Sequence, residues 1–129
     1  MTDPITDMLN RITNAQAVAH PTVDVPFSKL KYEIAKLLKS KGFIGKVEKK
    51  GRKIDKVIEI TLKYTDKVPG ISEFKRISKP GQRIYVAWNK IRRVRSGFGM
   101  AMLSTSQGLM SNEQARKQKI GGEILFEIW

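Results

Sequence analysis

Met100-Ala101-Met102-Leu103-Ser104-Thr105-Ser106-Gln107-Gly108-Leu109-Met110 decides how this chain is read. A small, apolar run of buried-strand character gives way to three consecutive hydroxyls and a glycine. Behind them Ser111 opens a short helix, and Gln114, three residues on, completes a capping box in which side chains and backbone amides satisfy one another. The stretch therefore predicts strand, hydroxyl loop, helix. Serine and threonine favour turns because their side chains bond nearby backbone. Three in a row exceed what one loop needs for itself, so an external partner is implied.

Working outward, the neighbouring segments are short strands. Ile71 to Ile77 reads as one, Lys79-Pro80-Gly81-Gln82 as a tight turn with Pro and Gly in turn positions, and Arg83 to Trp88 as a second strand. Phe98 to Leu103 is the strand that leads into the hydroxyls, entered through Ser96-Gly97. Gly121-Gly122 ends the helix passage. Glu123 to Trp129 closes the chain, with Ile124, Phe126 and Ile128 alternating with Leu125, Glu127 and Trp129.

The first half is helix-rich. Asp3 and Pro4 suit the cap and first turn of a helix whose stripe is Ile5, Met8, Leu9, Ile12 and Ala15. His20-Pro21 stops it, and a lone histidine at a helix end, with no cysteine or second histidine to join it, supports no metal site. Val23, Val25 and Phe27 suggest a short edge strand, since Pro26 cannot donate to a ladder. Ser28 caps a second helix with Leu30, Ile34, Leu37 and Leu38 inward and Gly42 just past its end. Phe43 to Val47 and Ile54 to Tyr64 read as strands joined by the basic loop Lys49-Lys50-Gly51-Arg52. Residues 65–70, Thr65 to Gly70, carry turn chemistry without periodicity and read as a linker. The expected fold is thus α+β in two small domains. Residues 1–64 form helices packed on a short sheet, and residues 71–129 a mostly antiparallel β unit with one short helix.

Composition narrows the function. The 129 residues carry 25 Lys and Arg against 12 Asp and Glu, a net charge of +13. Such self-repulsion fits a polyanionic partner. The excess is spread through both halves, but the segment from Phe74 to Asn112 holds Lys75, Arg76, Lys79, Arg83, Lys90, Arg92, Arg93 and Arg95 and not one carboxylate. A basic face with no counter-charges is the footprint of phosphate binding. With no cysteine, disulfides and thiol chemistry are excluded. No apolar run approaches the roughly 20 residues that span a bilayer, and the first residues carry neither signal nor transit character, so a cytoplasmic protein without membrane contact is expected.

A serine nucleophile needs a base, and the only histidine lies in the other half; no Walker spacing is present either. No catalysis and no cofactor are expected. Binding uses the same atoms better. Hydroxyls and exposed amides supply donors for phosphate, 2′-OH and base edges. Gly108 lets a backbone approach without a Cβ in the way, and Tyr85 is the stacking candidate. On this reading the loop supplies specificity and the cations Lys79, Arg83 and Arg93 supply affinity. A non-specific basic coat for nucleic acid or anionic surfaces is the alternative, weakened by the lack of a dominant basic amphipathic helix.

These residues carry a resemblance. Ser104-Thr105-Ser106-Gln107-Gly108, then Glu113, Ala115-Arg116, Gly121-Gly122-Glu123 and the final Trp129, resemble the bacterial type of the small-subunit ribosomal protein eight family. So do the opening Asp3-Pro4-Ile5 through Asn14-Ala15 and the central Ser78-Lys79-Pro80-Gly81-x-Arg83-x-Tyr85. The resemblance covers essentially the whole chain. It implies two α+β domains and direct binding of the central domain of small-subunit (16S) ribosomal RNA early in subunit assembly. It also implies repression of the protein's own operon messenger and neighbours such as small-subunit protein five. The family's RNA contacts would fall on Ser104, Thr105, Ser106, Gly108, Tyr85 and Glu123, with Lys29 and Lys31 meeting phosphates. Three positions depart from the pattern: Gln107 stands where lysine is frequent, Arg92 where proline is common, and Phe126 where cysteine is common.

Overall fold

The computed structural model describes residues 3–129, which form two compact units, one running to Ser72 and the other spanning Glu73–Trp129. In the first, Asp3 caps α1 (Pro4–Ala17) through its carboxylate, which accepts from the Ile5 and Thr6 amides. The expected stripe of Ile5, Met8, Leu9, Ile12 and Ala15 is buried. β1 (Thr22–Pro26) follows as an edge strand, then α2 (Lys29–Ser40), capped by the Ser28 hydroxyl on Lys31 N at 3.1 Å. Gly42, at φ 82, lies just past its end, where a left-handed backbone suits glycine. Leu30 departs from the expected inward stripe; it is exposed, and Ala35 takes the buried place beside Ile34 and Leu38.

β2 (Val47–Lys50) and β3 (Val57–Thr61) complete a sheet ordered β1-β3-β2. The expected strand over Phe43–Val47 lies later in the chain, the hairpin turn spans Gly51 to Lys56, and Ile54 sits at its exposed tip. Val25, Ile58 and Ile60 are fully buried beneath the helices. On the opposite face Glu48 faces Glu59, a like-charge pair that costs stability. Lys50 Nζ answers Glu59 at 3.0 Å, and that hydrogen bond and charge hold the Lys50 ammonium above its ordinary pKa.

The stretch that reads as a linker is a hairpin. β4 (Tyr64–Thr65) pairs with β5 (Val68–Pro69) around Asp66 and Lys67, both at positive φ. The first unit continues past it, because Ile71 is buried and the buried Gln16 amide grips its backbone. Gln16 Nε2 donates to Ile71 O at 2.9 Å and Gln16 Oε1 accepts from Ile71 N at 3.3 Å. Gln16→Ala orphans two buried backbone groups at about 1–3 kcal/mol each. The measurable result is reduced hydrogen-exchange protection at Ile71, with the Glu73–Trp129 unit unaffected.

The second unit is a twisted antiparallel sheet. β6 (Phe74–Arg76) and β7 (Tyr85–Val86) both pair with one edge of the long β10 (Gly122–Ile128). β8 (Met100–Thr105) pairs with its other edge, and β9 (Gly108–Ser111) lies outside β8. The expected strands at 71–77, 83–88 and 98–103 are each shorter or shifted. Trp88–Lys90 and Arg95–Gly97 are 3-10 turns, and Phe98 is exposed. α3 (Asn112–Lys117) carries the expected capping box: Ser111 Oγ accepts from Gln114 N, and Gln114 Oε1 from Ser111 N, both at 3.2 Å. Ala115 of α3 packs with Ala101, Leu103, Met110, Ile91 and Val94.

β10 does not alternate as expected. The register slips between Ile124 and Phe126, so Ile124 faces Leu103 on the α3 side while Phe126 faces Met102 on the other. A bulge of this kind inserts one residue and turns the following side chains over. Leu125, at the slip, is buried as well.

Candidate nucleic-acid interface

The hydroxyl stretch is the tip of a hairpin, not a loop leading straight into a helix. β8 runs on through Ser104 and Thr105, the chain turns at Ser106-Gln107, and β9 returns from Gly108, which takes φ 101. A residue after a tight turn commonly needs that left-handed conformation, which glycine adopts without a Cβ clash. An added Cβ there would meet open space, so the requirement is conformational.

The three hydroxyls part company. Thr105 Oγ1 donates to Gly108 O at 2.8 Å and accepts from Gln107 N at 3.1 Å, so its capacity goes to the turn itself. The side-chain hydroxyls of Ser104 and Ser106 make no hydrogen bond to any described residue, although no buried side-chain polar atom lacks a partner. Ser106 is exposed and Ser104 half-buried. Of the three hydroxyls expected to read a partner, Thr105 sets the shape of the turn within the protein, and the two serines keep their oxygens unclaimed by it.

Strand register then aligns the rest. Tyr85 of β7 sits opposite Glu123 of β10, Glu123 opposite Ser104 of β8, and Ser104 opposite Leu109 of β9. Directly opposed residues of antiparallel strands share a face with Cβ atoms about 4.5–5.5 Å apart. One row across four strands therefore presents a 70% exposed phenol, a carboxylate, a free hydroxyl and a leucine edge. Glu123 is bound by Arg83, whose Nη1 lies 3.2 Å from its Oε2; the Glu123 side chain is only 14% exposed and that of Arg83 50%. The pair neutralises the one negative charge in the row and fixes the carboxylate.

Two supports are not legible in the sequence. Ser78, fully buried, accepts from Ile84 N at 2.8 Å and donates to Ile84 O at 3.2 Å, tying off the Lys79–Gln82 turn that delivers Arg83 and Tyr85. The turn itself closes through paired bonds between Lys79 and Gln82 at 2.8 and 2.9 Å. Gly122 is the other support: a Cβ would stand 2.4 Å from Ser104 O, so glycine alone lets β10 run this close to β8 beside the hydroxyls. Its only sequence signal is the Gly121-Gly122 pair, which by itself looks like the end of a helix.

The remaining expected contacts are not in this row. Lys79 is exposed on its turn. Arg93 lines a groove of about 190 Å³ with Gly97, Gly99, Asn112, Glu113 and Arg116. Lys29 and Lys31 belong to the first unit, on the first turn of α2, where Lys31 Nζ reaches Pro26 O at 3.5 Å. Among the described residues no group of three or more His, Cys, Asp or Glu could hold a metal, and no helix is long and apolar enough to cross a membrane.

Comparison with known proteins agrees along the whole chain. The family model described as Ribosomal protein S8 matches residues 3–129. The small ribosomal subunit protein uS8 of Dictyoglomus turgidum is 50% identical over 129 residues, covering 100% of this chain and 98% of that relative. The proteins of the same name from Synechocystis sp. and Mycoplasmopsis pulmonis are 51% and 46% identical. They match 99% and 100% of this chain, and 98% of their own length in both cases.

Proposed function

This chain belongs to the ribosomal protein S8 family, and from that premise we propose that its Tyr85–Glu123–Ser104 row and hairpin tip bind the central domain of 16S ribosomal RNA during small-subunit assembly. The observation that carries the proposal is the pair of unclaimed hydroxyls, Ser104 and Ser106, beside an exposed phenol on a unit whose 74–112 segment has no carboxylate. Structured RNA offers these groups matching chemistry: 2′-hydroxyls and phosphate oxygens for the serines, an unstacked base for the tyrosine ring. Arg83, already paired with Glu123, is still 50% exposed and can meet phosphate as well. Thr105 and Gly108 hold the turn, while Lys79, Arg93, Lys29 and Lys31 add charge without sequence preference. The protein then acts as a structural constituent of the subunit in the cytoplasm, with neighbours such as small-subunit protein five. Repression of its own operon messenger follows if that messenger copies the ribosomal site.

The test is competition between a central-domain RNA fragment and bulk duplex DNA at matched salt. Specific binding should survive an excess of DNA, whereas a general basic coat would be displaced in proportion to phosphate. Lys79→Ala should weaken all RNAs alike and flatten the log–log salt slope by up to about 0.9 for the one phosphate that the ammonium neutralises. A steady slope would remove Lys79 from the interface.

A further inference from the structure

Phe98 is 88% exposed in the Glu73–Trp129 unit, yet the chain around it is tightly specified. Three consecutive residues before it, Arg95, Ser96 and Gly97, take positive φ of 50, 56 and 96. Two of them are not glycine, a strained arrangement that persists only where surroundings impose it. Here they do. Val94 O accepts from both Gly97 N and Gly99 N at 3.0 Å, and Arg95 O accepts from Phe98 N at 3.1 Å. The Arg95 guanidinium lies 4.1 Å from the Trp129 ring centre. Gly99 has no room for a side chain, since a Cβ would stand 2.6 Å from Val94 Cγ1 and 2.8 Å from Ile128 O. The loop is fastened on both sides of an aromatic ring that it holds in water.

The chemistry near the ring is cationic. Arg92, Arg93 and Arg95 precede it, and none is in an ion pair among the described residues. Gly97 and Gly99, which flank Phe98, also line the 190 Å³ groove that Arg93 and Arg116 share. Its one carboxylate, Glu113, is paired loosely with Lys117 at 3.9 Å. An apolar protein partner would want contiguous apolar surface. Phe98 instead stands between two glycines of a groove lined by Arg93 and Arg116, where a flat π-face and a nearby anion site suit one unpaired nucleotide.

We propose that the Arg92–Phe98 loop is a second RNA contact, separate from the Tyr85–Glu123–Ser104 row, in which an unpaired base stacks on Phe98 and its phosphate enters the Arg93–Arg116 groove. The inference rests on the RNA-binding reading for its biological partner, but its test does not use the ribosomal fragment. The probe is a single-stranded RNA octamer with one 2-aminopurine, whose fluorescence is quenched on stacking, titrated with the full chain. The unaltered protein and Phe98→Trp should quench it. Phe98→Ala should reduce the quenching and bind about 5- to 150-fold more weakly, the range that one base on one ring supports. Because the ring is exposed, that change spares the fold. Ile54→Ala, at the exposed hairpin tip of the first unit, should quench and bind the octamer as the unaltered protein does. Because the octamer carries no ribosomal sequence, failure of the row at ribosomal RNA and failure of this loop at the octamer are read separately. Equal affinity and quenching with Phe98→Ala would overturn the proposal. So would a photo-crosslinker at position 98 that captures protein in place of RNA in assembled small subunits.

Discussion

Phe126→Ala should destabilise the second unit by about 3–5 kcal/mol, the usual cost of removing a buried phenylalanine and leaving its cavity. Phe126 is fully buried on β10 between its register partners Met102 of β8 and Arg76 of β6. Small units hold only about 5–15 kcal/mol in all, so much of the margin would go. The measurement is direct, because both tryptophans of the chain, Trp88 and Trp129, lie in this unit. Their fluorescence in urea should show an early transition, while far-UV ellipticity from α1 and α2 should unfold near its original midpoint. An unchanged tryptophan midpoint would mean that Phe126 is not the packing centre. Phe126→Cys should also destabilise, by less, since part of the space stays filled.

How much of this is legible in the sequence depends on where the information lies. Caps are readable because their chemistry is local: Asp3, Ser28 and Ser111 each bond amides within three residues. The Ile58 and Ile60 face is readable because a two-residue period survives when pairing is regular. What stays hidden is what the rest of the fold decides. The bulge after Ile124 reverses the inward set in β10, and no pattern of apolar residues announces it. The 64–69 hairpin turns on Asp66-Lys67 at left-handed φ without the glycine that usually marks such turns. The boundary near Ser72 rests on Gln16 reaching across 55 positions to Ile71. β9 is concealed because the hydroxyl run looks like an ending when it is a hairpin tip. The site is legible as a group of residue types; which hydroxyl serves the turn is decided only by geometry.

That division sets up the largest expected effect on binding. Ser104→Ala with Ser106→Ala removes two oxygens that the free protein does not use. Substitutions outside the core that break no bond within the fold change stability by less than about 0.5 kcal/mol. Against central-domain RNA, each missing bond to a phosphate or base should cost about 1–3 kcal/mol. The double variant should therefore bind about 30- to 20,000-fold more weakly if the two effects add. Thr105→Val tests the role given to the turn, because its shape is kept and only the hydroxyl goes. Gln107 N and Gly108 O would be left to water. RNA affinity should then fall together with hydrogen-exchange protection in the hairpin, since the turn that aims Ser106 has loosened. A double serine variant that binds within about twofold of the original, under 0.5 kcal/mol, would sink the assignment of these hydroxyls. A Thr105→Val variant that binds poorly with hairpin protection intact would instead place Thr105 on the RNA.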